Sequence, residues 1–185
     1  MPHFFRNSLI ILIIVIPVSV SARSNKDADA VIILRNGSPC FYYPQDKEIQ
    51  KRPYSFDDLS VSNNGMYGGV AWEISIINYD RKGLLEPNSP ETCIEYGVLN
   101  PGMKEKQAAK PLQSDTPYKV FISVSEAPDG RNSFDRKFAA DFCISSNEQG
   151  EPIVVNASGG GTGDWRCLKP GESSKRSFWQ KLFDK

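Results

Sequence analysis

Apolar side chains occupy alternate positions from Tyr118 to Val124: Tyr118, Val120, Ile122 and Val124 share one face of an extended chain, with Lys119 and Ser123 between them. A period of two is the signature of a half-buried β-strand and is incompatible with one stable face of a helix. The same chemistry recurs along the chain. Val31-Ile-Ile-Leu-Arg35 reads as a strand, Asn36-Gly37 as a hairpin turn, and Cys40-Phe-Tyr-Tyr43 as the returning strand. Val70 to Tyr79 places Trp72, Ile74 and Ile76 on one face and Glu73 and Ser75 on the other. Thr92 to Tyr96 is a further short strand, closed by Gly97. Phe134 to Ser145 and Ile153 to Val155 follow Tyr118 to Val124, with turn signals between them, and the three suggest a meander.

No segment upstream of Lys169 has the spacing of an amphipathic helix. About seven short strands separated by turns predict an all-β fold, an immunoglobulin- or fibronectin-like β-sandwich, with a small barrel as the alternative. The 13 prolines and 14 glycines suit a turn-rich chain of this kind. Trp72 is the expected central indole of the core. Three polar stretches, 45–62, 100–117 and 158–165, are expected to be surface loops and candidate partner contacts, though no individual partner-binding residue can be named.

The first 22 residues have a separate character. Arg6 precedes an apolar run from Leu9 to Val18, and Val20-Ser21-Ala22 closes it before the polar Arg23-Ser-Asn-Lys-Asp27. This is the three-part pattern of a secretory signal peptide. The run is about a dozen residues, whereas a spanning helix needs about 20. The expected organisation is a signal peptide at 1–22, a β-sandwich domain at 23–168, and a linker with a short tail at 169–185. Phe178, Trp179, Leu182 and Phe183 cluster on one helical face of that tail. Docking on the protein's own domain is the expectation, with a membrane surface or a partner as alternatives.

Four cysteines remain in an exported chain: Cys40, Cys93, Cys143 and Cys167. An even count in that compartment predicts two disulfides. Three pairings are possible; Cys40–Cys93 with Cys143–Cys167 is favoured because it joins neighbours along the chain. The wide spacing fits neither a zinc ribbon nor a CxxC redox motif.

Composition removes several functions. The single histidine is His3, inside the signal-like segment, so the expected mature protein has no Ser-His or Cys-His pair and no histidine zinc site. The 22 basic residues balance the 22 acidic ones, which offers nothing to nucleic acid. The glycine cluster Ser158-Gly-Gly-Gly-Thr-Gly163 lacks the Lys-Ser/Thr that a phosphate loop requires. Asn36-Gly-Ser38 and Asn156-Ala-Ser158 match the glycosylation triplet, which matters only in a eukaryotic host. No metal, cofactor or catalytic residue is expected. Carboxylate-only hydrolysis survives as a third reading, to be favoured by a cleft holding two carboxylates.

The order of motifs supports a resemblance. Cys40-Phe-Tyr-Tyr43 is followed by Glu91-Thr-Cys-Ile-Glu-Tyr-Gly97, Tyr118-Lys-Val-Phe-Ile122, Arg136-Lys-Phe-Ala-Ala-Asp-Phe-Cys143, Gly150-Glu-Pro-Ile-Val-Val155 and a late cysteine. From Val31 to Cys167 the chain resembles the small exported bacterial proteins described as type VI secretion immunity periplasmic lipoproteins. It departs from them in having no lipid-attachment cysteine after the signal. The resemblance implies a non-enzymatic periplasmic protein whose partner is a secreted toxin, neutralised by binding and occlusion. A structural or adhesive subunit, pairing through an edge strand, is the alternative.

Overall fold

In the computed structural model the described residues are 28–47, 49–51, 54–63, 68–77, 84–126, 135–158, 165–170 and 172. The signal-like segment, the glycine cluster from Gly159 to Gly163 and the aromatic tail lie outside them. Among the described residues the fold is all-β, with one short 3-10 turn at Ile49–Lys51. The strands are β1 (Ala28–Asp29), β2 (Val31–Arg35), β3 (Ser38–Tyr42), β4 (Tyr54–Asn63), β5 (Val70–Ile76), β6 (Ile94–Glu95), β7 (Met103–Gln107), β8 (Tyr118–Glu126), β9 (Asp135–Ser146), β10 (Pro152–Ser158) and β11 (Arg166–Cys167).

They form two sheets. The larger runs β11-β10-β9-β8-β4-β5-β7, with β1 added parallel to β9; the smaller runs β2-β3-β6. The arrangement is the expected sandwich, with more strands than the seven or so read from the sequence. The difference comes from two-residue strands too short to leave a periodic pattern, and from β4 and β7.

Both of these lie in stretches expected to be loops. Residues 54–63 form the ten-residue β4, which lies between β5 and β8 in the large sheet. Its apolar residues fall out of strict alternation because Asp57 is a bulge residue: Phe56 faces Val124, while Asp58 faces Ser123. The extra residue restores Leu59 and Val61 to the core side, and both are fully buried. Met103–Gln107 is the edge strand β7, with Lys104, Glu105 and Lys106 exposed.

The turn at Asn36-Gly37 joins β2 to β3 as expected. Both residues have positive φ, 51° and 79°, the conformation of the tight hairpin turn that matches strand twist. The order β10-β9-β8 is the expected meander.

Tyr118, Val120, Ile122 and Val124 of β8 line the inner face of the large sheet, with Phe138 and Phe142 of β9. The small sheet closes over them. Phe41 meets Phe142 edge-on at 5.6 Å between ring centroids, and Tyr43 stacks on Phe138 at 5.1 Å. Trp72 is the expected core indole, with no exposed surface. Its Nε1 donates to Glu105 at 3.1 Å, so the buried polar atom is satisfied.

The two ends of the sandwich are closed differently. At the end where β8 begins, residues 108–117 cross the strands: Lys110 N donates to Ala71 O, and Asp115 N to Ile144 O. At the opposite end the segment around Ile49 packs into the core, and Asp46 forms a two-pronged pair with Arg136.

Cys40 is bridged to Cys93 and Cys143 to Cys167, the favoured pairing. The first bridge ties the small sheet to the segment before β6. The second ties β9 to β11 across β10. Two such bridges belong to an oxidising compartment outside the reducing cytoplasm. No helix among the described residues is long and apolar enough to cross a membrane.

Candidate functional site

Because the even-numbered residues of β8 face the core, its odd-numbered residues stand on the outer face of the large sheet. There Lys119 is directly opposite Asp141, and Phe121 is opposite Ala139. On the far side of β9, Asp29 of β1 is also opposite Ala139. The register therefore brings together groups from three strands that sequence distance keeps far apart.

Their surroundings follow from a fork in the sheet. β10 pairs with β9 from Ser146 back to Phe142, where Asn156 is the last partner. Beyond Asn156, β10 pairs instead with β11, Ala157 facing Cys167 and Ser158 facing Arg166. β1 takes up the vacated edge of β9, but only at Phe138 and Ala139. Between these partners lies an open groove of about 400 Å3. Asp29, Lys119, Asp141 and Asn156 line it, together with Ala30, Ala139, Ala140 and Ala157.

Lys119 is the best-defined group here. Its Nζ lies 3.5 Å from Asp141 Oδ1, 5.3 Å from the centre of the Phe121 ring and 5.5 Å from that of Trp165. Two ring faces and one carboxylate thus share a single ammonium. At 3.5 Å the contact is an ion pair, too long for a good hydrogen bond. Asp141 Oδ1 is accordingly buried without a hydrogen-bond partner. Burial pushes the Asp141 carboxyl above its ordinary range, and the charge of Lys119 offsets this in part.

Trp165 is half-buried and precedes β11, so the Cys143–Cys167 bridge fixes its approach. Cys143, Val155 and Ala157 form a small separate apolar cluster beneath this bridge, with Ile153 and Cys167 packed on it. Beside it Arg166 pairs with Glu172. That hydrogen-bonded partner lowers the Glu172 carboxyl to about 2.

The described residues of the three stretches expected to contact a partner do not form one surface. Residues 45–47 and 49–51 lie at one end of the large sheet, where Asp46 meets Arg136 at the start of β9. Residues 108–117 close the other end. β4 removes 54–62 from the candidate loops, because most of it is core or paired strand. Of 158–165, Ser158 and Trp165 are described, and among the described residues of those stretches Trp165 reaches the outer-face cluster through Lys119. Lys119, Asp141, Asp29 and Asn156 were not anticipated. The alternation of Tyr118 to Val124 marks Lys119 as outward, but nothing in the sequence pairs it with Asp141.

No group of three or more metal-ligating side chains occurs among the described residues. No family model, curated protein or solved structure matches the chain.

Proposed function

We propose that this is an exported, non-enzymatic binding protein of the bacterial periplasm, an immunity-type protein that neutralises a toxin delivered by neighbouring cells by occluding it. The observation that carries the binding reading is the Lys119 cluster. A half-buried Trp165, Phe121 and a paired charge are held on the outer sheet face by a disulfide and by strand register. Interfaces draw their affinity from such rigid aromatic and charged anchors rather than from total area. The toxin as partner rests on the motif order from Cys40 to Cys167 described above.

The adhesive alternative needs an open sheet edge. On the large sheet, one edge is the two-residue β11 and the other is β7, whose exposed Lys104, Glu105 and Lys106 discourage strand addition. That reading is left with the small sheet, whose longer edge strand is the five-residue β2, and with the part of the β9 edge that β1 covers only at Phe138 and Ala139. The hydrolase reading has one observation in its favour, since Asp29 and Asp141 line a single groove. It requires that D29N or D141N abolish a measurable hydrolysis of exported polysaccharide.

Protection of a toxin-exposed strain tests the main proposal, using toxins encoded beside this gene. One molecule of the protein per toxin should suffice, and the F121A/W165A variant should lose protection at least tenfold while keeping both disulfides. Protection at far below one molecule per toxin, or full protection by F121A/W165A, overturns it.

A further inference from the structure

We propose that the groove at the fork of β1, β9 and β10 receives a basic side chain of the bound partner, an arginine in preference to a lysine. This rests on the reading of the outer face as the binding surface and names the chemistry that the surface selects.

The charges in the groove do not balance. Asp29 and Asp141 supply two carboxylates against the single ammonium of Lys119, a formal charge of −1. Asn156 borders the groove from β10 opposite Phe142, on the other face of the sheet from Asp141, and brings no charge. Lys119 is also shared. It stands between the Phe121 and Trp165 rings, and its 3.5 Å approach leaves Asp141 Oδ1 without a hydrogen bond. Oδ1 itself is sealed from solvent while the Asp141 side chain keeps 27% of its surface exposed, so an entering cation acts on the carboxylate as a whole, as a charge that offsets its burial.

The shape suits a long, thin entrant. The groove is open, and a volume of about 400 Å3 holds an extended side chain with a planar head. A guanidinium offers five donors in a fixed fork and can serve carboxylates on two strands at once, whereas an ammonium is a compact point charge. Asp29 on β1 and Asp141 on β9 stand at such separated positions, with the Ala139 position between them in the register. A metal ion is a poorer occupant because the groove lacks a third acidic ligand.

The test uses N-acetyl-arginine amide as probe, with N-acetyl-citrulline amide as its neutral isostere. Binding is followed by amide chemical shifts in the intact protein. The expected result is saturable shifts at the backbone amides of Ala140, Asp141 and Asn156 with the arginine probe and none with citrulline. D29N and D141N should each weaken binding several-fold, and the pair at least tenfold, without altering the shifts of core residues such as Val120. Equal binding of citrulline, shifts centred elsewhere, or no saturation in the tens of millimolar overturns the inference. Binding of N-acetyl-lysine amide as tight as that of the arginine probe overturns the preference for the planar head. The two readings fail separately. If the arginine probe binds as expected while F121A/W165A still protects against toxin, the functional proposal falls and the groove stands. If protection requires the face but the probe does not bind, the groove assignment falls alone.

Discussion

Tyr96 donates its hydroxyl proton to the carbonyl of Lys110 at 2.7 Å, with the Ala71 carbonyl 3.2 Å from the same oxygen. A residue just after β6 of the small sheet thereby holds the segment that closes one end of the large sheet. The ring also meets Trp72 edge-on at 5.1 Å. Y96F keeps that ring contact and removes the donor. It should cost about 1–2 kcal/mol, read as a lower urea midpoint with an unchanged slope.

The same hydroxyl sets a limit at alkaline pH. Burial raises the Tyr96 phenol from 10.0 to about 12. The folded state therefore keeps a proton that the unfolded chain releases near pH 10. The contribution is intact below pH 10 and is lost as pH rises through about 12. Wild type should lose stability across that window, and Y96F should lose less, as measured by thermal unfolding at stepped pH.

Asp141 should trade stability against binding. Its carboxyl is raised by burial more than Lys119 lowers it, so the folded state holds the proton more tightly than the unfolded chain does. The associated stability is present below the unfolded carboxylate range and is lost as pH rises through the raised value. At neutral pH D141N should therefore be at least as stable as wild type in thermal melts, while losing affinity for the arginine probe. A clear drop in its melting temperature at neutral pH would show that the Lys119 pair outweighs burial.

The two disulfides should differ in consequence. Closing loops with sequence separations of 53 and 24 residues limits the unfolded chain by about 4 and about 3.5 kcal/mol in the chain-entropy description. C40A/C93A should thus be the somewhat less stable variant in denaturant titrations. C143A/C167A should be the one that releases Trp165 from Lys119, seen as a change in tryptophan emission and as loss of the F121A/W165A-sensitive protection.

Two glycines with nearly equal φ separate backbone strain from packing. Gly102 and Gly150 have φ of 81° and 80°. A β-carbon at Gly150 meets nothing, whereas one at Gly102 collides with the Leu84 side chain. G150A should cost about 1 kcal/mol, the penalty of a left-handed L-residue. G102A should cost more by the energy of moving Leu84, and equal losses in paired denaturant melts would show that Leu84 yields freely.

Much of the sandwich could be read from local pattern. The two-residue period of Tyr118 to Val124, the Asn36-Gly37 turn and the burial of Trp72 each depend on residues close in the chain, where side-chain direction and turn geometry are decided. The cysteine count announced two bridges, and sequence proximity favoured the pairing present. β4 escaped that reading because a bulge at Asp57 breaks the alternation of Phe56, Leu59 and Val61, and β7 because an edge strand can carry exposed charge along its length. The candidate site belongs wholly to tertiary structure. Asp29, Lys119, Asp141 and Asn156 meet because β1 takes the edge of β9 that β10 leaves beyond Asn156. Local sequence sets which way each side chain points. Strand pairing across the sheet decides which of them become neighbours, and that depends on the packing of the whole core.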